Sequence, residues 1–149
     1  MMQPLREQLG TGEKRRKLID DACDVLDQEV ADKSGLSGLA IKATYKVVKG
    51  IRPGFIPEVV DSLLDEFLDA VEPLYQEAVA NKRPLGSGVR ENPSRVADSL
   101  LGVTDRKAER AKSQVVKSAY EKLRPSAKKQ VEGACPRLAT LLERHAAAA

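Results

Sequence analysis

Apolar residues recur at three- and four-residue intervals along almost the whole chain, and runs of β-branched residues alternating with polar ones are missing. The pattern predicts an all-α protein. Ile19, Cys23, Leu26 and Val30 fall at i, i+4, i+7 and i+11, and Leu18, Ala22 and Val25 widen that stripe. A helix is therefore expected over 12–33, capped by Thr11, with Asp20, Asp21, Asp24, Asp27 and Asp32 on its opposite face. A shorter helix opening at Pro4 and closing at Gly10 precedes it.

The run Ser34-Gly35-Leu36-Ser37-Gly38 interrupts the period, and Ser37 is expected to cap a third helix that Gly50 ends. Lys42, Lys46 and Lys49 make a stripe only ~60° wide on it, and the rest is apolar or small, the signature of a mostly buried helix. Residues 57–81 carry Val60, Leu64, Phe67, Leu68, Val71, Leu74 and Tyr75 among others over an arc of about 200°, which makes this the expected central helix. Pro73 should bend or restart it. Glu58, Asp61, Asp65, Asp69 and Glu72 line the strip that remains.

Residues 83–91, with Pro84, Gly86 and Gly88, read as a flexible loop. Asn92 and Pro93 open a short helix that Gly102 closes after Leu101. Thr104 is expected to cap the next, running to Leu123 with Ala108, Ala111, Val115, Ala119 and Leu123 inward. Pro125 opens the last, with Val131, Ala134, Leu138, Leu141 and Leu142 on one face, a kink at Pro136 and a frayed tail over 146–149. The expected product is one helical domain spanning 1–149, a compact bundle of six or seven helices around the 57–81 helix.

A chain of 149 residues can bury a sizeable core without metals or disulfides. Cys23 and Cys135 are far apart and neither belongs to a CxxC pair, so two buried thiols are expected rather than a zinc site or a disulfide framework. Aromatic residues amount to 3% and tryptophan is absent, which removes the stacking platform that single-stranded nucleic acid or sugar rings need. No apolar segment marks the N-terminus, and no run approaches the roughly 20 apolar residues of a membrane span, so a cytoplasmic protein without membrane attachment is expected.

The net charge of +3 conceals an uneven distribution. Residues 58–80 hold seven carboxylates and no cation, whereas residues 81–149 hold fifteen cations against seven carboxylates. The acidic strip from Glu58 to Glu72 is expected to be either a solvated stripe or a docking surface for Lys42, Lys46 and Lys49 or the basic C-terminal helices. A metal site is not expected there, because the one histidine, His145, lies near the far end of the chain.

The sharpest local pattern spans residues 31–44. Ala31, the turn glycine Gly35, Leu36, Ser37 and Ile41 have the spacing of a helix-turn-helix corner. A DNA reader built on it would present Lys42, Lys46 and Lys49 to phosphates, with Arg106, Arg110 and Lys117 as further anion contacts. Against this, the preceding helix is dense with carboxylates, and Gly38 to Ile41 offers no Arg, Asn or Gln to base edges. The corner reads first as a structural one. No catalytic residue, cofactor site or metal site is expected: GxSxG, Walker and GxGxxG motifs are absent, and Cys135 and His145 would lie about 15 Å apart along one helix.

Segment 33–55, opening Lys33-Ser34-Gly35-Leu36-Ser37-Gly38-Leu39-Ala40-Ile41-Lys42 and closing Arg52-Pro53-Gly54-Phe55, carries a family likeness together with Tyr120-Glu121-Lys122-Leu123-Arg124-Pro125-Ser126-Ala127-Lys128-Lys129. With these segments the chain resembles, over nearly its whole length, an uncharacterised family of small all-helical bacterial proteins with a domain of unknown function. The resemblance implies the fold and a bacterial cytoplasmic setting, and carries over no activity, ligand or site residue. The expected function is a non-enzymatic helical scaffold or interaction module with a protein partner or self-association. The alternatives are nucleic-acid binding through the 31–49 corner or the basic C-terminal helices, and an apolar ligand held between helices near Phe67 and Tyr75.

Overall fold

The computed structural model describes residues 3–146. Among these residues every regular element is a helix: α1 (Leu5–Leu9), α2 (Gly12–Ala31), α3 (Gly35–Lys49), α4 (Phe55–Ala80), α5 (Ser87–Glu91), α6 (Pro93–Glu109) and α7 (Gln114–His145). The all-α expectation holds, with seven helices. Of the tail expected to fray, residues 147–149 lie outside the described residues, and the Ala146 N–H donates to the Leu142 carbonyl at 2.8 Å.

Helix α4 is the hub, packing against α1, α2, α3, α5 and α6, while the longer α7 packs against α2, α3, α5 and α6. The core joins Leu64, Leu68, Leu74 and Tyr75 of α4 to Cys135, Ala139, Leu141 and Leu142 in the second half of α7, with Leu5, Leu9, Leu18, Val89 and Val96 between them. Neither α3 nor the first half of α7 contributes to this cluster. Both lie at its margin, and that placement decides what their apolar residues do.

Helix α1, at five residues, is far too short to persist alone. Leu5 and Leu9 are almost wholly buried, each contributing roughly 1.5–3 kcal/mol. The Leu5 N–H donates to Glu72 Oε1 at 2.6 Å, Arg6 pairs with Asp69 at 2.6 Å, and Gln8 Nε2 donates to the buried Tyr75 hydroxyl at 2.8 Å. Tertiary contacts thus supply what propagation within five residues does not.

Several boundaries differ from the sequence expectation. Ser34, extended at φ −138° and ψ 173°, stands at the N-cap of α3, and Ser37 lies inside the helix. The early start brings Gly38 against the preceding turn, where a Cβ would sit 2.7 Å from the Lys33 carbonyl carbon. Helix α4 starts at Phe55, after Gly54 at φ +76°, so Pro57 falls in its first turn. Residues 83–91 are not all loop: α5 forms there, with Val89 buried and a Gly86 that leaves room for the α7 backbone.

Gly102 does not end α6, because Leu101 and Val103 on either side are buried and outweigh the ~1 kcal/mol helical cost of glycine. Thr104 is therefore no cap; its hydroxyl donates to the Leu101 carbonyl and meets the Tyr120 hydroxyl at 2.6 Å. Ser113 caps α7 instead, accepting from the Val116 N–H at 3.3 Å. Pro125 opens no helix, since α7 runs through both Pro125 and Pro136. Both prolines are exposed, so the carbonyl each leaves without an intrahelical donor lies on the side open to water. Pro73 likewise lies within α4, which continues past it without a break.

Candidate docking surface

The third helix departs furthest from expectation. It is not mostly buried: among its residues only Gly38 is, and Leu36, Leu39 and Val47 are 87%, 64% and 58% exposed. The helix carries two apolar stripes. Ile41, Tyr45 and Val48 share one side and are half-buried, while Leu36, Leu39, Ala43 and Val47, at i, i+3, i+7 and i+11, face solvent on the other. A single inner stripe suffices for packing, because α3 sits on the margin of the bundle with neighbours on one side.

Next to the outer stripe runs an open groove of about 430 Å³ between α3 and the first two turns of α7. Ala43, Thr44 and Val47 form one wall; Val115, Ser118 and Lys122 form the other. Val115, expected inward, is 47% exposed, while Ala119 beneath it is buried. The first half of α7 turns the small Ala119 inward here, and Val115 is left on the groove while Val116 and Leu123 are half-buried elsewhere on the helix.

The corner holds α3 in place through polar contacts with α2. The Tyr45 hydroxyl donates to Asp27 Oδ1 at 2.5 Å, and Lys49 reaches the same oxygen at 3.3 Å with its ammonium 5.2 Å from the Tyr45 ring. The Tyr45 hydroxyl keeps the Asp27 carboxyl below its ordinary range, and burial, aided by Asp27, pushes the Tyr45 phenol well up. Cys23, half-buried on the facing side of α2, is pushed up by burial and then by Asp27 and its neighbours, so it is a poor nucleophile.

The acidic strip of α4 is covered, but not by the α3 lysines. Arg15 lies between Asp61 and Asp65 at 2.8 Å each, Arg6 takes Asp69, Arg52 takes Glu58 at 3.0 Å, and Arg106 and Lys107 reach Glu66 at 3.4 and 3.8 Å. The hydrogen bonds to Asp65 and Asp61 raise the Arg15 guanidinium further above its ordinary value. Of the predicted anion contacts, Lys49 is engaged with Asp27 and Arg106 with Glu66. Lys42, Lys46, Arg110 and Lys117 make no ion pair among the described residues. Lys42 and Lys46 share one edge of α3, whereas Arg106 is on α6, paired with Glu66 of α4.

His145 closes the opposite end. Its Nε2 meets Asp21 Oδ2 at 2.6 Å, and that contact, with Arg144 nearby, holds the Asp21 carboxyl below its ordinary range. Among the described residues no three His, Cys, Asp or Glu side chains converge as metal ligands, and no helix is long and apolar enough to cross a membrane.

A family of unknown function, DUF6918, matches residues 5–146. The chain belongs to that family. Neither a curated protein nor a solved structure matches it. Family membership spans all seven helices and assigns no activity to any of them, so the exposed face of α3 stands on its own geometry. Sequence reasoning passed over that face, although a signal was present: a fifteen-residue helix with two apolar stripes on opposite sides has one stripe more than a marginal position needs.

Proposed function

We propose that this protein is a non-enzymatic interaction module, working in the cytoplasm, that receives a helix of another protein along the outer face of α3 and the groove between α3 and α7. The observation that carries the reading is the exposure of Leu36 and Leu39 on the outer stripe of α3, continuous with Val47, which with Val115 lines the groove. Isolated exposed apolar residues are ordinary, but large ones repeating along three turns of a helix, beside a cleft, make a contiguous patch of the kind proteins use for docking. Anchors at i, i+3, i+7 and i+11 are the spacing that a partner helix reads in a helix-in-groove contact. Nothing in the groove resembles a reacting constellation: its polar members are Thr44, Gln114, Ser118 and Lys122.

A nucleic-acid reading of the same corner has less support. The side of α3 that would enter a duplex groove carries Leu36 and Leu39 instead of donors and acceptors for base edges.

The test is site-specific photo-crosslinking in the native host. A photoreactive residue at position 39, 47 or 115 should yield a discrete protein adduct, while one at exposed Ser94 on α6 should not. Absence of an adduct from all three positions would overturn the reading.

A further inference from the structure

We infer that the partner helix is an acidic one, with carboxylates flanking its apolar stripe, and that a second copy of this chain is not the natural occupant. This rests on the docking role proposed for α3.

Residues 33–57 contain five cations, Lys33, Lys42, Lys46, Lys49 and Arg52, and no carboxylate. With 100° between successive residues, Leu36, Ala43 and Val47 lie within about 40° of one another, and Lys46 and Lys42 follow on one edge, about 80° and 120° from Leu36. The other side of the groove is lined by Lys122, and Glu121 beside it in sequence points about 120° away from Val115 around α7. The apolar strip thus runs between a lysine edge on α3 and a lysine on α7. The bundle does not neutralise them: Glu58, Asp61, Asp65, Glu66 and Asp69 of α4 are taken by Arg52, Arg15, Arg106 with Lys107, and Arg6, Glu72 accepts from the Leu5 N–H, and Lys42, Lys46 and Lys122 have no ion-pair partner among the described residues.

Self-pairing meets these charges badly. When two copies of α3 pack antiparallel across a two-fold axis, like edges face each other, which brings Lys42 and Lys46 of one copy against those of the other. A parallel pair sets the lysine edge against Ser37 and Thr44, which offer no carboxylate. Only a helix that brings its own Asp or Glu to both edges complements this surface, and complementary edge charges are what select partner and orientation in paired helices. An anionic membrane surface would also attract the lysines. However, the site is a groove with two walls instead of a convex ridge, and its apolar face lacks the Trp and Phe that anchor interfacial helices.

The experiment uses the full chain and two fluorescent synthetic peptides with the same leucine stripe, one flanked by glutamates and one by lysines, followed by anisotropy at low and high salt. The acidic peptide should bind at least about tenfold more tightly than the basic one, with a preference that shrinks as salt rises. In the Lys42→Glu/Lys46→Glu variant the preference should reverse, and in the Leu39→Gln/Val47→Gln variant both peptides should lose binding, with unchanged thermal melts showing that each variant still folds. Equal binding of both peptides by the wild type would overturn the acidic partner and leave α3 as a docking face. Failure of both peptides while position 39 crosslinks to a second copy would overturn it in favour of self-association. Failure of both, with Lys42-dependent binding to phosphatidylglycerol vesicles, would overturn it in favour of a membrane surface.

Discussion

Val47 on α3 and Val115 on α7 line the same groove from opposite walls, 58% and 47% exposed, although each belongs to an apolar stripe that a sequence pattern would bury. An apolar pair left on an open cleft between two packed helices contributes little to folding. Its energetic value is realised when something covers it.

This separates stability from docking in a measurable way. Leu36→Gln and Leu39→Gln should each change folding stability by no more than about 0.5 kcal/mol, since both side chains are already in water and glutamine is as good a helix former as leucine. Leu9→Ala, which empties a buried site beneath α4, should cost about 2–5 kcal/mol. Urea melts check both, and binding of an apolar dye should fall in the glutamine variants but not through unfolding.

Arg15 engages all three guanidinium nitrogens: Nε and Nη1 reach Asp61 and Asp65, while Nη2 and Nη1 reach the Asp61 and Gly10 carbonyls, all at 2.8 Å. A lysine keeps the charge but not the planar set of donors. Arg15→Lys should therefore destabilise by about 1–2 kcal/mol, more at low salt than at high, as measured by denaturant midpoints.

Gly86 touches α7 through its missing side chain. A Cβ there would lie 2.6 Å from the Ala139 carbonyl oxygen and 2.8 Å from the Ala139 Cβ, and Ala139 is fully buried. Gly86→Ala should push α5 off α7 and lower stability by about 1–3 kcal/mol. Hydrogen exchange should show the loss concentrated in α5 and the end of α7.

The same junction carries a pH dependence. Arg90 donates to both Glu143 oxygens, at 2.6 and 2.8 Å, and the Gly86 N–H adds a third bond at 3.0 Å, so Arg90 first and Gly86 second hold the Glu143 carboxyl below its ordinary range. A carboxyl depressed in the folded state adds stability that is complete above the unfolded-chain value of about 4.3 and is lost as pH falls through the lower native value. Wild type should exceed Glu143→Gln by about 1 kcal/mol at neutral pH, and the gap should close on acidification below pH ~4. Denaturant melts across that range measure it; a gap independent of pH would reject the assignment.

What could be read in the sequence was whatever depends on a residue and its neighbours along the helix. The 3.6-residue period located α2, α4 and α6 at one or both ends, Asn92-Pro93 marked the start of α6, and the apolar arc around Leu64, Leu68 and Tyr75 identified α4 as the hub. Proline and glycine misled where packing overrode local preference: Pro125 and Gly102 sit within helices that buried neighbours or a long stretch of regular backbone sustain. The charge runs showed that α4 needed cations, but not which cations. Arg6 and Arg15 reach it because α1 and α2 lie against it, a fact of topology that no local pattern contains.

For the candidate site the division is sharper. The sequence by itself determined that α3 is apolar nearly all round, carries lysines along one edge and lacks carboxylates. Only the tertiary structure decided that one of its two apolar sides would meet the bundle and the other would not. The reason is that burial belongs to the arrangement of helices in space: periodicity records which residues share a side, and a helix on the margin of the core has neighbours for only one of them.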